Sequence, residues 1–469
     1  MILNSEPPTE DVEIFMRNSQ YGSKLLYLAG NALNFEDLAR ASIETSKCAI
    51  ILANKFTQTP QYEDNRNILT SFAIKSFVRE IYSRDIRVCL QLLKPESKEL
   101  FYSISNPGLN DQVICVDEFK LYLLSKTSLC PGIITIISTL ITSEKPNYPY
   151  DESVHPSTTK KWVDEYLWGV QNEMYRIPLD STKFAGLSFS VVSQQIYKHF
   201  DIILFALEIT IENETRVYCN PSEYIFQEKS HYGYVIASRL PIIEDFQNFS
   251  FPNVQRTFNL IPKTTKKKNK NTLEFILEKR LNDYKGDRSI ISKSFYYQKV
   301  TSLEAATIKN KDDNFKFENH IIVCGLVDDM RSFLLALRAK SLKTVHPVII
   351  LHNELIPVKI WKEINRFPKI YYLQGSPLKR GDLDRAGIDK AIAAIILSSS
   401  KEGDKNSFMV DADTIFIYKT IKTSNPGVRI ITELASFSTI NFLIKNKSNT
   451  INKFGFRASE PFASGEIYI

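Results

Sequence analysis

No CxxC pair, no zinc-ligand spacing, no HExxH helix and no G-x-S-x-G elbow occurs in these 469 residues. Their absence removes the usual sequence grounds for a zinc site, a dithiol redox centre, a metalloprotease or an α/β-hydrolase. The six cysteines (Cys48, Cys89, Cys115, Cys130, Cys219, Cys324) are widely spaced in apolar, strand-like settings, which predicts free thiols in a reducing compartment. The six histidines (His155, His199, His231, His320, His346, His352) form no ligand pattern and read as ordinary core or surface residues, and no EF-hand loop occurs. A long apolar span is lacking as well. The nearest approach, Leu121 to Ile141, is broken by Lys126 and by Pro131-Gly132, whereas a membrane helix needs about 20 apolar residues. It reads as a helix-turn-helix that buries against a neighbouring domain. Met1 leads directly into Ile2-Leu3-Asn4, the end of a strand rather than a leader. Charge of one sign is scarce too: the net charge is +6, and much of it sits in Lys263–Lys270 (KTTKKKNK). That run reads as a solvated linker, so no nucleic-acid partner is expected.

What the sequence does contain is a pattern written twice. Tyr27–Leu52 (YLAGNALNFEDLARASIETSKCAIIL) aligns without a gap to Tyr372–Leu397 (YLQGSPLKRGDLDRAGIDKAIAAIIL), with 13 identities. They include Gly30/Gly375, Asp37/Asp382, Leu38/Leu383, Arg40/Arg385 and the closing Ala-Ile-Ile-Leu. Each copy has the form of a βαβ unit. A short strand ends at glycine, which permits a tight turn or close packing. A short helix follows, capped in the first copy by Asn34, with Asp37 in its first turn. Glu36 and Arg40 are spaced (i, i+4), Asp382 and Arg385 (i, i+3). The apolar run that ends each copy suits a strand buried on both faces of a parallel sheet. A fixed period this long means a duplicated domain rather than a solenoid.

In chain order, Ile2-Leu3-Asn4 echoes Ile350-Leu351-His352-Asn353, so the first domain is expected to start partway through its sheet. Glu10–Met16 and Asn65–Arg79 have helical period. Ile86–Leu92 is a strand, echoed by Val428–Leu434. The 162–262 region is rich in aromatic and β-branched residues, with candidate strands Leu187–Val191, Ile202–Leu207, Thr215–Tyr218 and Tyr232–Ala237. Leu273–Tyr284 is one helix within a lysine-rich linker. His320–Gly325 and Pro347–Leu351 are buried strands, with a helix at Met330–Ala339 between them.

Dinucleotide binding is the first chemistry to test, since glycines must let backbone N–H groups approach a pyrophosphate and an acid must hold the ribose. After Gly325 come Leu326-Val327-Asp328-Asp329-Met330: the second and third glycines are missing, and two carboxylates stand where phosphates would lie. His352-Asn353 replace the ribose acid. The fold is kept without its cofactor chemistry, and no NAD is expected.

Here the residues become specific. Tyr27–Lys55, Trp162–Tyr175 (WVDEYLWGVQNEMY), Ala185–Val192, Asn220-Pro221-Ser222, Phe367–Leu397 and Pro461–Gly465 resemble the cytosolic gating ring of Slo-type potassium channels, nearest to the calcium-activated BK or Slowpoke type. The resemblance implies an α/β fold of two tandem Rossmann-like RCK domains, the first truncated at its N-terminus and the second at its C-terminus. Its expected parts are a first Rossmann subdomain at 1–110, a helical crossover at 111–145, a small α+β subdomain at 146–262, a linker at 263–317 and the second RCK domain at 318–469. It further implies a non-enzymatic region that couples ion binding to pore opening. Four chains form a ring on the cytoplasmic side of the cell membrane, and K⁺ passes through a pore outside this chain. The family's first-domain Ca²⁺ site carries over to Glu173 and, through its backbone carbonyl, to Gln171, with the partner carboxylate expected upstream of Met1. The aspartate-rich calcium bowl does not carry over, because no aspartate lies between Leu434 and Pro461. Leu26 replaces the family's Mg²⁺ glutamate. Alternatives are a sodium-activated or ligand-insensitive Slo-type channel, a nucleotide-binding subunit of a potassium uptake system, and a degenerate dehydrogenase.

Overall fold

The computed structural model describes residues 1–18, 22–55, 57–104, 111–141, 169, 171–179, 181–211, 214–226, 231–238, 295–309, 317–397, 411–434, 439, 442–443 and 467–468. The chain forms two compact units, one of Met1–Pro131 with Ser294–Ile469 and the other of Gly132–Lys293.

In chain order the first copy comprises β1 (Ile2–Asn4), α1 (Glu10–Arg17), β2 (Tyr27–Ala29), α2 (Phe35–Arg40), β3 (Cys48–Ile51), α3 (Pro60–Tyr82), β4 (Arg87–Leu92), α4 (Pro95–Ile104), β5 (Gln112–Cys115) and α5 (Val116–Leu129). β1 pairs parallel with β2, while β3, β4 and β5 form a separate three-stranded parallel sheet. Proline at N1 starts α3, where its missing N–H has no helical partner to lose. Ser83 in the left-handed region (φ 50°) stops it. Its apolar stripe, Ile68, Ile74, Phe77 and Val78, buries against Ala49, Ile51, Val88, Leu90 and Leu92.

The other unit holds α6 (Ile133–Ile141), β6 (Glu173–Leu179), α7 (Ser181–Phe184), α8 (Phe189–Phe200), β7 (Ile203–Ile211), β8 (Glu214–Cys219) and β9 (His231–Ala237). The strands make one antiparallel sheet in the order β6-β9-β7-β8. Leu187–Val191, expected as a strand, instead enters α8. Ser188 accepts a hydrogen bond from the Val191 N–H as N-cap, and Phe189, Val192 and Ile196 then turn a helical face to the sheet. A serine followed by β-branched residues reads locally as strand, and the cap decides otherwise. The strand β6 was not expected. Helix Leu273–Tyr284 and the run Lys263–Lys270 lie outside the described residues.

Part of the stretch read as linker, residues 295–309, packs on the second copy. There α9 (Leu303–Ala306) buries Ala306, Ile308 N–H donates to Tyr372 O at 2.8 Å, and Trp361 Nε1 donates to Thr301 O at 3.1 Å. Then follow β10 (His320–Cys324), α10 (Met330–Leu337), β11 (Val348–His352), α11 (Val358–Ile364), β12 (Ile370–Gln374), α12 (Arg380–Arg385), β13 (Ala391–Ile396), α13 (Ala412–Ser424), β14 (Arg429–Thr432) and β15 (Ile467–Tyr468). The six parallel strands run β12-β11-β10-β13-β14-β15, the doubly wound Rossmann order. Two cores lie on its opposite faces, one under α10, α11 and α5, the other under α12 and α13.

The two copies differ at their centre. β10 sits between β11 and β13, yet among the described residues no strand lies between their first-copy equivalents, β1 and β3. Ile395 and Leu397 are 0% and 3% exposed, whereas their counterparts Ile50 and Leu52 are each 70% exposed. Among the described residues, therefore, one face of the first sheet is left uncovered. The helix α5, which leaves that sheet, packs instead on the second copy. Leu121 and Leu124 enter its core with Phe333, Leu337, Ile395 and Ile431. Small hydroxyls on α5 bond back to their own helix (Ser128 to Ser125 O at 2.6 Å, Thr127 to Leu123 O at 2.8 Å), so this face approaches closely without stranded polar groups. The crossover expected at 111–145 passes from one unit to the other at Pro131/Gly132, and no residue of α6 is fully buried.

Two measurements check this account. Ile395→Asp places a charge in a dry core and lowers unfolding free energy by more than about 3 kcal/mol in urea titrations. Ile50→Asp, at the matching but uncovered position, changes it by less than about 1 kcal/mol. His320 is fully buried, and its Nε2–H donates to Ala386 O at 2.8 Å, while Nδ1 has no partner among the described residues. Burial holds its pKa below the ordinary value despite that bond. The unfolded chain binds this proton more readily, so the contribution is complete above about pH 6.5 and is lost as pH falls toward the depressed folded pKa. The urea midpoint should drop between pH 7.5 and 5.5, and by less in His320→Gln.

Candidate functional site

The duplicated residues converge on one local structure. After β12, Gly375 brings the backbone against Asp382, such that an added Cβ would lie 2.7 Å from the carboxyl carbon; after β2, Gly30 does the same against Asp37 at 2.7 Å. Asp382 Oδ2 accepts the Ser376 N–H at 2.9 Å and its Oδ1 takes Arg385 at 2.9 Å. Asp37 Oδ2 accepts the Asn31 N–H at 2.9 Å and its Oδ1 takes Arg40 at 2.6 Å. Arg40 pairs with Asp37, as Arg385 does with Asp382, rather than with Glu36 on the same helix face: the aspartate is already fixed under the loop and offers a held anion. The Asn31 N–H, more than Arg40, keeps Asp37 below the usual carboxylate range. The Tyr27 and Tyr372 hydroxyls donate to the carbonyls of Glu6 and Glu354, tying each repeat strand to the loop after its neighbour, β1 or β11. Asn34 caps α2 through the Glu36 N–H, as expected.

In each copy, then, a side-chain carboxylate takes up the backbone N–H just beyond the glycine. At the second copy's opening turn another carboxylate does similar work. Gly325 adopts φ 105°, and a Cβ there would approach Leu397 O to 3.0 Å. Leu326 and Val327 turn inward onto the core. Asp329 caps α10, accepting the Ser332 N–H at 3.0 Å, while its Oδ2 is buried without a partner among the described residues. Burial first, then the Glu96 and Glu118 carboxylates, raise its pKa. A negative potential of this kind opposes a phosphate.

The residues expected to ligate Ca²⁺ lie in the other unit. Glu173 is the first residue of β6, opposite Ala237, and its Oε2 accepts the Tyr175 hydroxyl at 3.1 Å. Burial, then that bond, raises the Tyr175 pKa. Gln171 sits in the exposed turn before the strand. Turn and strand start thus present one carboxylate and a backbone carbonyl two residues apart, both oxygen donors suited to a hard cation that takes six to eight of them. Among the described residues no group of three or more His, Cys, Asp or Glu is placed to hold a metal. The interval searched for a calcium bowl lies mainly outside the described residues, and Leu26, in the Mg²⁺ position, is exposed. Sequence reasoning missed the paired loop amides of Asn31 and Ser376. The shared glycine-to-aspartate spacing of seven was the available signal.

Comparison with known proteins agrees with this architecture. The model described as "Calcium-activated potassium channel slowpoke-like RCK domain" matches residues 1–101 and 316–432. The "Calcium-activated BK potassium channel alpha subunit" model matches residues 111–207. Together they take in about two thirds of the chain. Potassium channel subfamily U member 1 of Homo sapiens is 23% identical over 553 residues, covering 100% of this chain and 47% of that protein. Its Mus musculus counterpart is 24% identical over 459 residues, covering 85% and 40%. The chain thus spans less than half the length of these relatives. Among solved structures the human SLO3 gating ring is similar in fold, with a TM-score of 0.68 at 23% identity over 99% of this chain and 75% of that one.

The close approach of Gly375 to Asp382 is open to a double-mutant cycle. Gly375→Ala alone should cost about 1–3 kcal/mol, because the new methyl displaces the carboxylate from the Ser376 amide. In an Asp382→Ala background the same change should cost clearly less, since the atom it strikes is gone. Equal costs in the two backgrounds would contradict the geometry.

Proposed function

The chain belongs to the slowpoke-like RCK family, a family of channel regulatory regions rather than enzymes, and on that footing we propose that it couples ion binding to the opening of a potassium channel. The observation that carries the proposal is a pair of Rossmann-like copies sharing helix α5, with strand-end loops closed by their own carboxylates. Such a pair is built to change shape as a unit, not to hold a nucleotide. Four chains form a ring on the cytoplasmic side of the membrane, and K⁺ passes through membrane-spanning segments. Among the described residues no helix is long and apolar enough to be one of those segments.

Ca²⁺ is the activating ion, bound through the Glu173 carboxylate and the Gln171 carbonyl together with oxygens from beyond this pair. A ligand opens such a ring only by binding the open form more tightly than the closed one. The exposed turn beside the first residues of an anchored strand supports this reading. Binding there would tie the turn to the strand.

The test is patch recording from a channel carrying this region. Glu173→Gln should move half-activation to about tenfold higher Ca²⁺, equivalent to about 1.4 kcal/mol. Unchanged Ca²⁺ dependence would remove the site and leave the gating role standing. Opening indifferent to replacement of the whole region would remove the gating role itself.

A further inference from the structure

Four charged side chains connect the strand ends of the two copies through helix α5. Lys94 lies just past β4, and its Nζ is 2.9 Å from Asp117 Oδ2. The other oxygen of Asp117 is 3.7 Å from Lys120 Nζ, one turn along α5. Lys120 Nζ is in turn 2.9 Å from Glu433 Oε1, just past β14. Signs alternate along the row, and Asp117 uses a separate oxygen for each lysine. The ends are structurally matched, because β4 and β14 pair with β3 and β13, the equivalent strands that close the repeated pattern.

Both ends are also anchored. Asp64, fully buried at the start of α3, accepts the N–H groups of Leu93 and Lys94 at 2.7 and 2.9 Å. The Glu433 N–H donates to Ile396 O at 3.2 Å, tying it to β13. At its far end α5 is held again, where Arg429 donates to Ser128 O at 3.3 Å. The α5 helix is therefore clamped to β14 at two points about two turns apart, and to the first copy by direct continuation from β5. Apolar burial of Leu121 and Leu124 gives the helix its affinity for the second copy. Burial is non-directional, so the charges are what fix its rotation and register.

We propose that Lys120 is a positioning residue that couples the two copies: by bridging Asp117 and Glu433, it makes a displacement of the strand-end loop of one copy move the matching strand end of the other. This goes beyond the gating role and is independent of it. The coupling is a property of the folded chain, whatever ligand or pore it serves.

Hydrogen exchange in the full chain provides the test, followed by mass spectrometry on peptides covering Gln112–Lys120 and Arg429–Leu434. Lys120→Met keeps the aliphatic stem and removes the charge. It should raise exchange about two- to fivefold in both peptides, the scale of a partly exposed ion pair. Glu433→Gln should do the same in the parent chain and add little in the Lys120→Met background. Lys120→Arg should stay near the parent rates. A rise confined to the α5 peptide, fully additive effects of the two substitutions, or loss of protection in Lys120→Arg would each show that Lys120 serves only its own helix and overturn the proposal.

Discussion

A parallel sheet must be covered on both faces, because its strands bury apolar side chains on each side. Among the described residues, the second copy meets that constraint with helix α5 from the first. α10 and α11 leave room over β13 and β14, and Leu121 and Leu124 fill it. The copies are thereby one folding body, and Met1–Pro131 groups with Ser294–Ile469 across more than 160 intervening residues. Among the described residues no such helix lies over the first copy's second face, where Ile50 and Leu52 keep the apolar character of their buried counterparts.

The duplicated loops engage their own backbone amides. Asp37 and Asp382 take up the N–H groups of Asn31 and Ser376, and Asp329, in the turn after β10, takes that of Ser332. An internal carboxylate holds each loop against its own strand end. The charge row through Asp117 and Lys120 begins and ends at such strand ends.

Much of this was legible in the sequence. The gapless repeat and its strands appear where the pattern placed them, buried on both faces in the second copy but not in the first, because glycine, aspartate, arginine and the apolar run act within a few residues of one another. Three features were not legible. The pairing of Arg40 with Asp37 depended on where the loop holds the carboxylate. The α8 start at Phe189 depended on the Ser188 cap outweighing β-branched neighbours. The tail of the expected linker, 301–308, joined the second copy because Trp361 and Tyr372, far along the chain, offered partners for its backbone.

The sequence by itself determined the two βαβ copies and the missing second and third glycines after Gly325, since each follows from local spacing. Only the tertiary structure decided that α5 would cover the other copy's sheet, that Ile50 and Ile395 would meet opposite fates, and that Lys120 would find Glu433. Those outcomes rest on contacts between residues up to 313 positions apart, and no local pattern encodes which distant surface an apolar face will meet.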